Sequence, residues 1–211
     1  MRMRHLGTHA RVSLVVAAMA ITMTACAQGG SPGPERGGAP AKPVADERVV
    51  EGHSYKVDSS PEAAAAFPLN ENVFEGTVQS LKPDVHAVDK LDDGSVFEVV
   101  YTPVVIKVTT VHKGTLEPGE EVVVRSMGGS ADGVTYTTEE APAKSTFARG
   151  TSLFVFGSVL EAVDSENVPA ITPHFVYRDS GTTLVDATYA SGSQTAPVAK
   201  AKVLARLGTE R

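Results

Sequence analysis

The chain has one cysteine, no tryptophan and only 6 % aromatic residues. A lone cysteine excludes an intramolecular disulfide, and without a second thiol there is neither a zinc knuckle nor a redox pair. Positive charge is scarce as well: 19 basic side chains face 25 acidic ones, for a formal net charge of -6 and a pI near 5.5. Surfaces that neutralise phosphates are basic and locally clustered, so no nucleic-acid partner is expected. Long hydrophobic runs are also missing. The uncharged stretch at residues 12–23 (VSLVVAAMAITM) is 12 residues long, against the roughly 20 that a membrane-spanning helix requires. At 211 residues the expectation is one domain with room for an appendage.

What is present is unevenly spread. Residues 1–25 hold Arg2, Arg4 and Arg11, no carboxylate, and four of the five methionines. A basic start, a short apolar middle and small residues at the end follow the plan of a secretory signal; a buried core helix would not need the basic flank. The only cysteine comes directly afterwards, in Met23-Thr24-Ala25-Cys26. This tetrapeptide resembles the lipobox of bacterial lipoproteins, with Met23 where that family usually carries leucine or valine. The resemblance implies that residues 1–25 are cleaved and that Cys26 becomes a diacylglyceryl-modified N-terminus. The protein would then be lipid-anchored at the extracytoplasmic face of the bacterial cell membrane. Two acyl chains, at about 0.8 kcal/mol per buried CH2, give stable anchoring where one does not. The competing reading makes Cys26 an incidental small residue of an ordinary signal peptide.

Residues 27–48 (AQGGSPGPERGGAPAKPVADER) contain nine Gly or Pro and no apolar periodicity. Such a stretch cannot bury enough surface to offset the entropy of ordering it. With Cys26 it reads as a disordered tether, residues 26–48, whose root-mean-square reach as a flexible coil is roughly 25 Å.

From residue 49 to 211 the sequence predicts a single β-rich domain, with a barrel core over about residues 72–190. Ser60-Pro61-Glu62, four alanines and Phe67 make a short helix in which Ser60 caps, Pro61 takes the first position and Pro68 stops it. Period-two alternation then begins. Residues 73–81 (VFEGTVQSL) read as a strand, with Gly76 at a bend or a close backbone approach. Residues 96–111 form a β-rich stretch that Pro103 is expected to split, bulge or confine to an edge. Strands follow at 121–127, at 134–138 after the hairpin pair Asp132-Gly133, at 151–160, at 175–178 and at 182–188. Ala199, Val203, Leu204 and Leu207 share one side of a C-terminal helix at 197–207.

Short strands punctuated by Gly and Pro, with a short helix before them and one at the end, predict a mainly β fold: a small OB-like barrel of five to seven strands. The order VFEGTVQSL, VVIKVTTVHKG, EVVVRSMGG, FARGTSLFVFGS over residues 72–160 resembles OB-fold modules of the netrin-like and tissue-inhibitor-of-metalloproteinases-like superfamily. The matching positions are Val73, Gly76 and Val78, then Lys113 and Gly114, then Phe147 and Gly150. Those inhibitors depend on disulfides and on a free N-terminal cysteine at the protease zinc. This chain has no cysteine pair, so the resemblance carries an expected fold and not that inhibition.

No catalytic constellation emerges. His53, His86, His112 and His174 make no H-x-H, H-x-x-x-H or H-E-x-x-H spacing and read as surface or turn histidines. Asp84, Asp89, Asp92 and Asp93 cluster near Gly94 without EF-hand spacing, and read as a solvated acidic loop between strands. Residues 128–133 (GGSADG) join strand to strand, whereas a nucleophile elbow joins strand to helix. The expectation is therefore a non-enzymatic lipoprotein without cofactor, metal or catalytic residue, whose barrel binds a protein or another envelope ligand. Its variable surface would be residues 128–133 and 139–149. The alternative is a metal-binding envelope lipoprotein with convergent His and Asp side chains. Changing Cys26→Ala is expected to shift the protein from the membrane pellet to the medium, or to leave it unprocessed; unchanged processing and fractionation would contradict the lipobox reading.

Overall fold

The computed structural model describes residues 48–53, 56–90, 93–160, 170–192 and 196–209. The signal segment, Met23, Thr24, Ala25, Cys26 and the tether up to residue 47 lie outside the described residues. In chain order the elements are β1 (Arg48–Glu51), α1 (Pro61–Ala66), β2 (Asn72–Leu81), β3 (Val85–Lys90), β4 (Val96–Lys113), β5 (Glu121–Met127), β6 (Gly129–Ala131) and β7 (Val134–Thr137). A 3-10 turn at Lys144–Phe147 leads into β8 (Ser152–Leu160), β9 (Ala170–Asp179), β10 (Thr183–Asp186), β11 (Val198–Ala199) and α2 (Lys200–Thr209).

Five strands close on themselves in the order β2, β4, β5, β9, β8 and back to β2. All pairings are antiparallel except β5 with β9, which meet in parallel at Val123–Ala170 and Val124–Ile171. This is the expected mainly β, OB-like barrel, with α1 before it and α2 at the C-terminal end. The alternating side chains Val104, Ile106 and Val108 of β4 face inward with Phe74, Val78, Val122, Val124, Leu153, Val155 and Ile171. Phe147, fully buried on the 3-10 turn, joins the same core.

A second core lies on the outside of the barrel. Phe154, Phe156, Phe175 and Tyr177 project outward from β8 and β9 and pack with Ala64 of α1 and Val203 of α2. The short α1 is built as its sequence requires: the Ser60 hydroxyl accepts from the Ala63 N–H, and Pro61 occupies the first turn. At the rim of this core the Lys200 ammonium bonds Glu75 at 2.6 Å and Asp179 at 2.7 Å, while His112 Nε2 lies 2.8 Å from Glu75 and its ring stacks on Phe154. Burial works against the Lys200 charge, but the two carboxylates outweigh it and hold its pKa above that of an ordinary lysine.

The structure departs from the sequence expectation at three places. β4 runs through Pro103 without a break. The Pro103 carbonyl accepts from Lys82 N at 2.9 Å, so its backbone polar edge faces the junction between β2 and β3, away from β5, and the missing N–H costs no β4–β5 bond. The acidic segment is not a solvated loop. Residues 85–90 form β3, hydrogen-bonded to β4 from Val85–Tyr101 to Lys90–Val96. Within it Asp89 is a strand residue; Asp93 sits in the turn, its Oδ1 accepting from Ser95 N at 2.8 Å, and Asp92 lies outside the described residues. Finally, β1 pairs in parallel with β7 beside the β6–β7 hairpin, and its first residue is Arg48, which the sequence pattern places in the tether. Asp132 (φ 52°) and Gly133 (φ 76°) make the expected hairpin turn.

Gly76 is required by the close pairing of β2 with β4. A Cβ there would lie 2.4 Å from Ile106 Cγ2 and 2.9 Å from the Lys107 carbonyl oxygen. Gly76→Ala is expected to destabilise the barrel by about 1–3 kcal/mol through overpacking, read as a lower midpoint in urea unfolding; an unchanged midpoint would show that the two strands can separate at no cost.

Candidate functional site

Beyond Val124 and Ile171 no further pairing joins β5 to β9 among the described residues. β9 also carries a bulge there. Its register with β8 passes from Phe156–Phe175 to Gly157–Pro173, which leaves His174 as the extra residue. Gly157 permits this approach, because a Cβ on it would meet the Thr172 carbonyl oxygen at 2.5 Å. Pro173, with no N–H to donate, fits a bulge.

A cavity of about 430 Å³ opens where the two strands part. Its walls are Phe97, Val99 and Tyr101 from one face of β4, Arg125 and Met127 from β5, and Thr172, Pro173, His174 and Val176 from β9. Glu140, Ala141, Pro142 and Thr188 complete it. Small-molecule sites occupy roughly 300–1,000 Å³ and combine an apolar lining with a few polar groups. Phe97, 49 % exposed, marks the outer end of this lining.

The polar groups differ in how they are held. The Arg125 guanidinium sits over the Tyr101 ring at 4.6 Å from its centroid. Among the described residues it has no carboxylate or hydrogen-bond partner. His174 has its Nδ1 3.1 Å from Asn70 Oδ1 and its Nε2 3.4 Å from Ser158 Oγ, with Phe67 at its edge. Burial pushes its pKa below that of an ordinary histidine and so favours the neutral ring, against a smaller opposing effect of the Glu71 carboxylate. Glu140 Oε2 accepts from Thr138 Oγ1 at 2.6 Å. Ser126, between the two β5 cavity residues, is buried and its hydroxyl has no hydrogen-bond partner.

Beside this face a second polar centre joins four segments. Asp84 accepts from Thr102 Oγ1 at 2.5 Å, from Ser130 N at 2.9 Å and from Lys144 Nζ at 3.1 Å. Burial raises its pKa, but the three donors together prevail and hold it below the ordinary carboxylate range. A Cβ on Gly129 would fall 2.3 Å from Asp84 Oδ2, so the chain passes close over the carboxylate.

The four histidines stay apart. His53 is exposed; His86 Nε2 lies 2.7 Å from Glu98, which also receives Arg48; His112 is in the Lys200 network; His174 is at the cavity. Among the described residues no three His, Cys, Asp or Glu side chains are grouped to hold a metal ion. Residues 128–133 became the β6–β7 hairpin, whereas Glu140, Ala141 and Pro142 from the 139–149 segment do line the cavity. Sequence reasoning missed Arg125, Tyr101 and Phe97. The available signal was one arginine inside an otherwise apolar strand, EVVVRSM.

Fold and cavity together define an OB-like barrel with an apolar cleft on its outer face. Compared with models of protein families, with curated proteins and with solved structures, the chain matches none.

Asp84 gives a pH dependence of known sign. With its pKa lowered by folding, its contribution is complete above the unfolded value of about 3.9 and drains as pH falls through the lower folded value. Asp84→Asn is expected to cost about 1–3 kcal/mol near neutral pH, with the deficit against the native chain shrinking below about pH 4. Urea titrations that show the same deficit at both ends of that range would contradict this account.

Proposed function

We propose that this chain is a non-enzymatic binding lipoprotein, anchored through a diacylglyceryl group on Cys26 at the extracytoplasmic face of the cell membrane, whose OB-like barrel takes its ligand at the β4–β5–β9 face. The anchoring rests on the sequence of residues 1–26, and among the described residues no helix is long and apolar enough to cross a membrane. The observation that carries the binding reading is the cavity of about 430 Å³ between the parted strands β5 and β9. OB barrels commonly bind on the face of their second and third strands, which here are β4 and β5. The cavity combines apolar side chains with the few polar groups that orient a ligand.

The test is a titration of the full chain, carrying Cys26→Ala to avoid detergent, with the neutral probe 4-phenyl-1-butanol followed by amide NMR. Saturable shifts are expected in β4, β5 and the β9 bulge, and Met127→Trp, which fills the cavity, is expected to abolish them while the spectrum stays folded. Shifts absent from this face, or unaffected by Met127→Trp, would overturn the reading.

A further inference from the structure

Resting on that choice of binding face, we infer that the cavity selects a small monoanionic amphiphile, a carboxylate with an aryl or alkyl body, and that Arg125 is the cationic anchor for its carboxylate. Three observations converge on this class. Arg125 is the cationic residue among the cavity walls, and no carboxylate pairs with it among the described residues, although the protein carries an acidic excess and pairs Arg48, Lys144 and Lys200 elsewhere. The Arg125 guanidinium carbon lies over the Tyr101 ring at 4.6 Å from its centroid, and its N–H groups, without a hydrogen-bond partner among the described residues, are left for a ligand. A planar fork of this kind matches a carboxylate in a bidentate arrangement. The remainder of the lining, Phe97, Val99, Met127 and Pro142, is apolar and can receive the ligand's body.

The gap is also the wrong size for a peptide added as a strand. β5 is paired to β9 up to Val124, and β9 is engaged again from Val176, whose N–H is bonded by Thr188 Oγ1 at 3.2 Å and whose carbonyl is bonded by Ala187 N at 2.9 Å. What lies between is Arg125–Met127 on one side and residues 172–175 on the other. A typical strand is about five or six residues. The Glu140 carboxylate at the cavity wall, held by Thr138, sets the alternative: if it dominated, the site would prefer a cation.

A matched series on the full chain carrying Cys26→Ala decides between these: 4-phenylbutyrate, 4-phenyl-1-butanol and 4-phenylbutylamine, titrated by amide NMR at low salt. The carboxylate is expected to bind about tenfold or more tightly than the alcohol, and the amine most weakly. Arg125→Gln is expected to erase the preference of carboxylate over alcohol while leaving alcohol binding in place, and Arg125→Lys to restore part of it. Equal binding of acid and alcohol overturns the anionic specificity and leaves the binding face standing. Tighter binding of the amine overturns it in favour of Glu140. A preference for the acid that survives Arg125→Gln removes Arg125 as the anchor. Should none of the three probes bind, the inference fails together with the cleft reading.

Discussion

Closure of the barrel rests on the short parallel seam between β5 and β9. Four of the five contacts around the ring are long antiparallel ladders formed by strands that follow one another or meet at their flanks, as OB-like topology dictates. The fifth has two residue pairs among the described residues, Val123–Ala170 and Val124–Ile171. Without it β5 and β9 would be open edges, and an open edge is a template for pairing with other chains. All four seam side chains are buried, and two of them, Val124 and Ile171, also fill the barrel core. Its brevity has a second effect: the strands diverge as soon as it ends, and the cavity occupies the divergence. The candidate site is a by-product of how the barrel is closed.

The legible part of this fold was what local pattern decides. The α1 cap, the Asp132-Gly133 hairpin, strands at 73–81, 121–127 and 151–160, and the special status of Gly76 all follow from periodicity and turn chemistry, and the structure has each of them. What was not legible depended on partners distant in sequence. Pro103 reads as a strand breaker until it is known that its polar edge faces the gap between β2 and β3. The acidic run at 84–93 reads as a loop because its aspartates cluster near Gly94, yet β4 is long enough to pair with β3 over Val96–Tyr101 before it pairs with β2 from Val104 onward. β9 was foreseen only over its last residues, since Pro173 and His174 conceal a bulge that only Gly157 on the neighbouring strand accommodates. The cavity was invisible for the same reason: each of its walls comes from a different segment, and only the 139–149 guess touched it.

Charge in this molecule is organised into nodes. The Lys200 network lies at the edge of the outer core, the Asp84 centre ties the barrel to the small sheet and the 3-10 turn, and Glu98 gathers Arg48 and His86. Lys200 is largely buried with its two carboxylates, and such a pair is costly to break singly, so it favours one arrangement of segments; Arg48 and Lys144 are more than half exposed and their pairs contribute less. Against that pattern, Arg125 stands out among the described residues: Arg48, Lys144 and Lys200 meet carboxylates, and Arg125 meets an aromatic ring.

The small sheet has a mechanical meaning. The described chain begins at Arg48, and the first attachments it makes are the Arg48 N–H to Gly133 O at 3.0 Å, the side-chain pair with Glu98, and the parallel register of β1 on β7. The strand is four residues long, and its Arg48 ties it to Glu98 of β4 as well as to β7. β1 contributes no side chain to either hydrophobic core, and all four of its residues pair with β7, whose hairpin partner β6 is tied to Asp84 through Ser130 N. A load on Arg48 is therefore shared between the small sheet and β4, outside both hydrophobic cores.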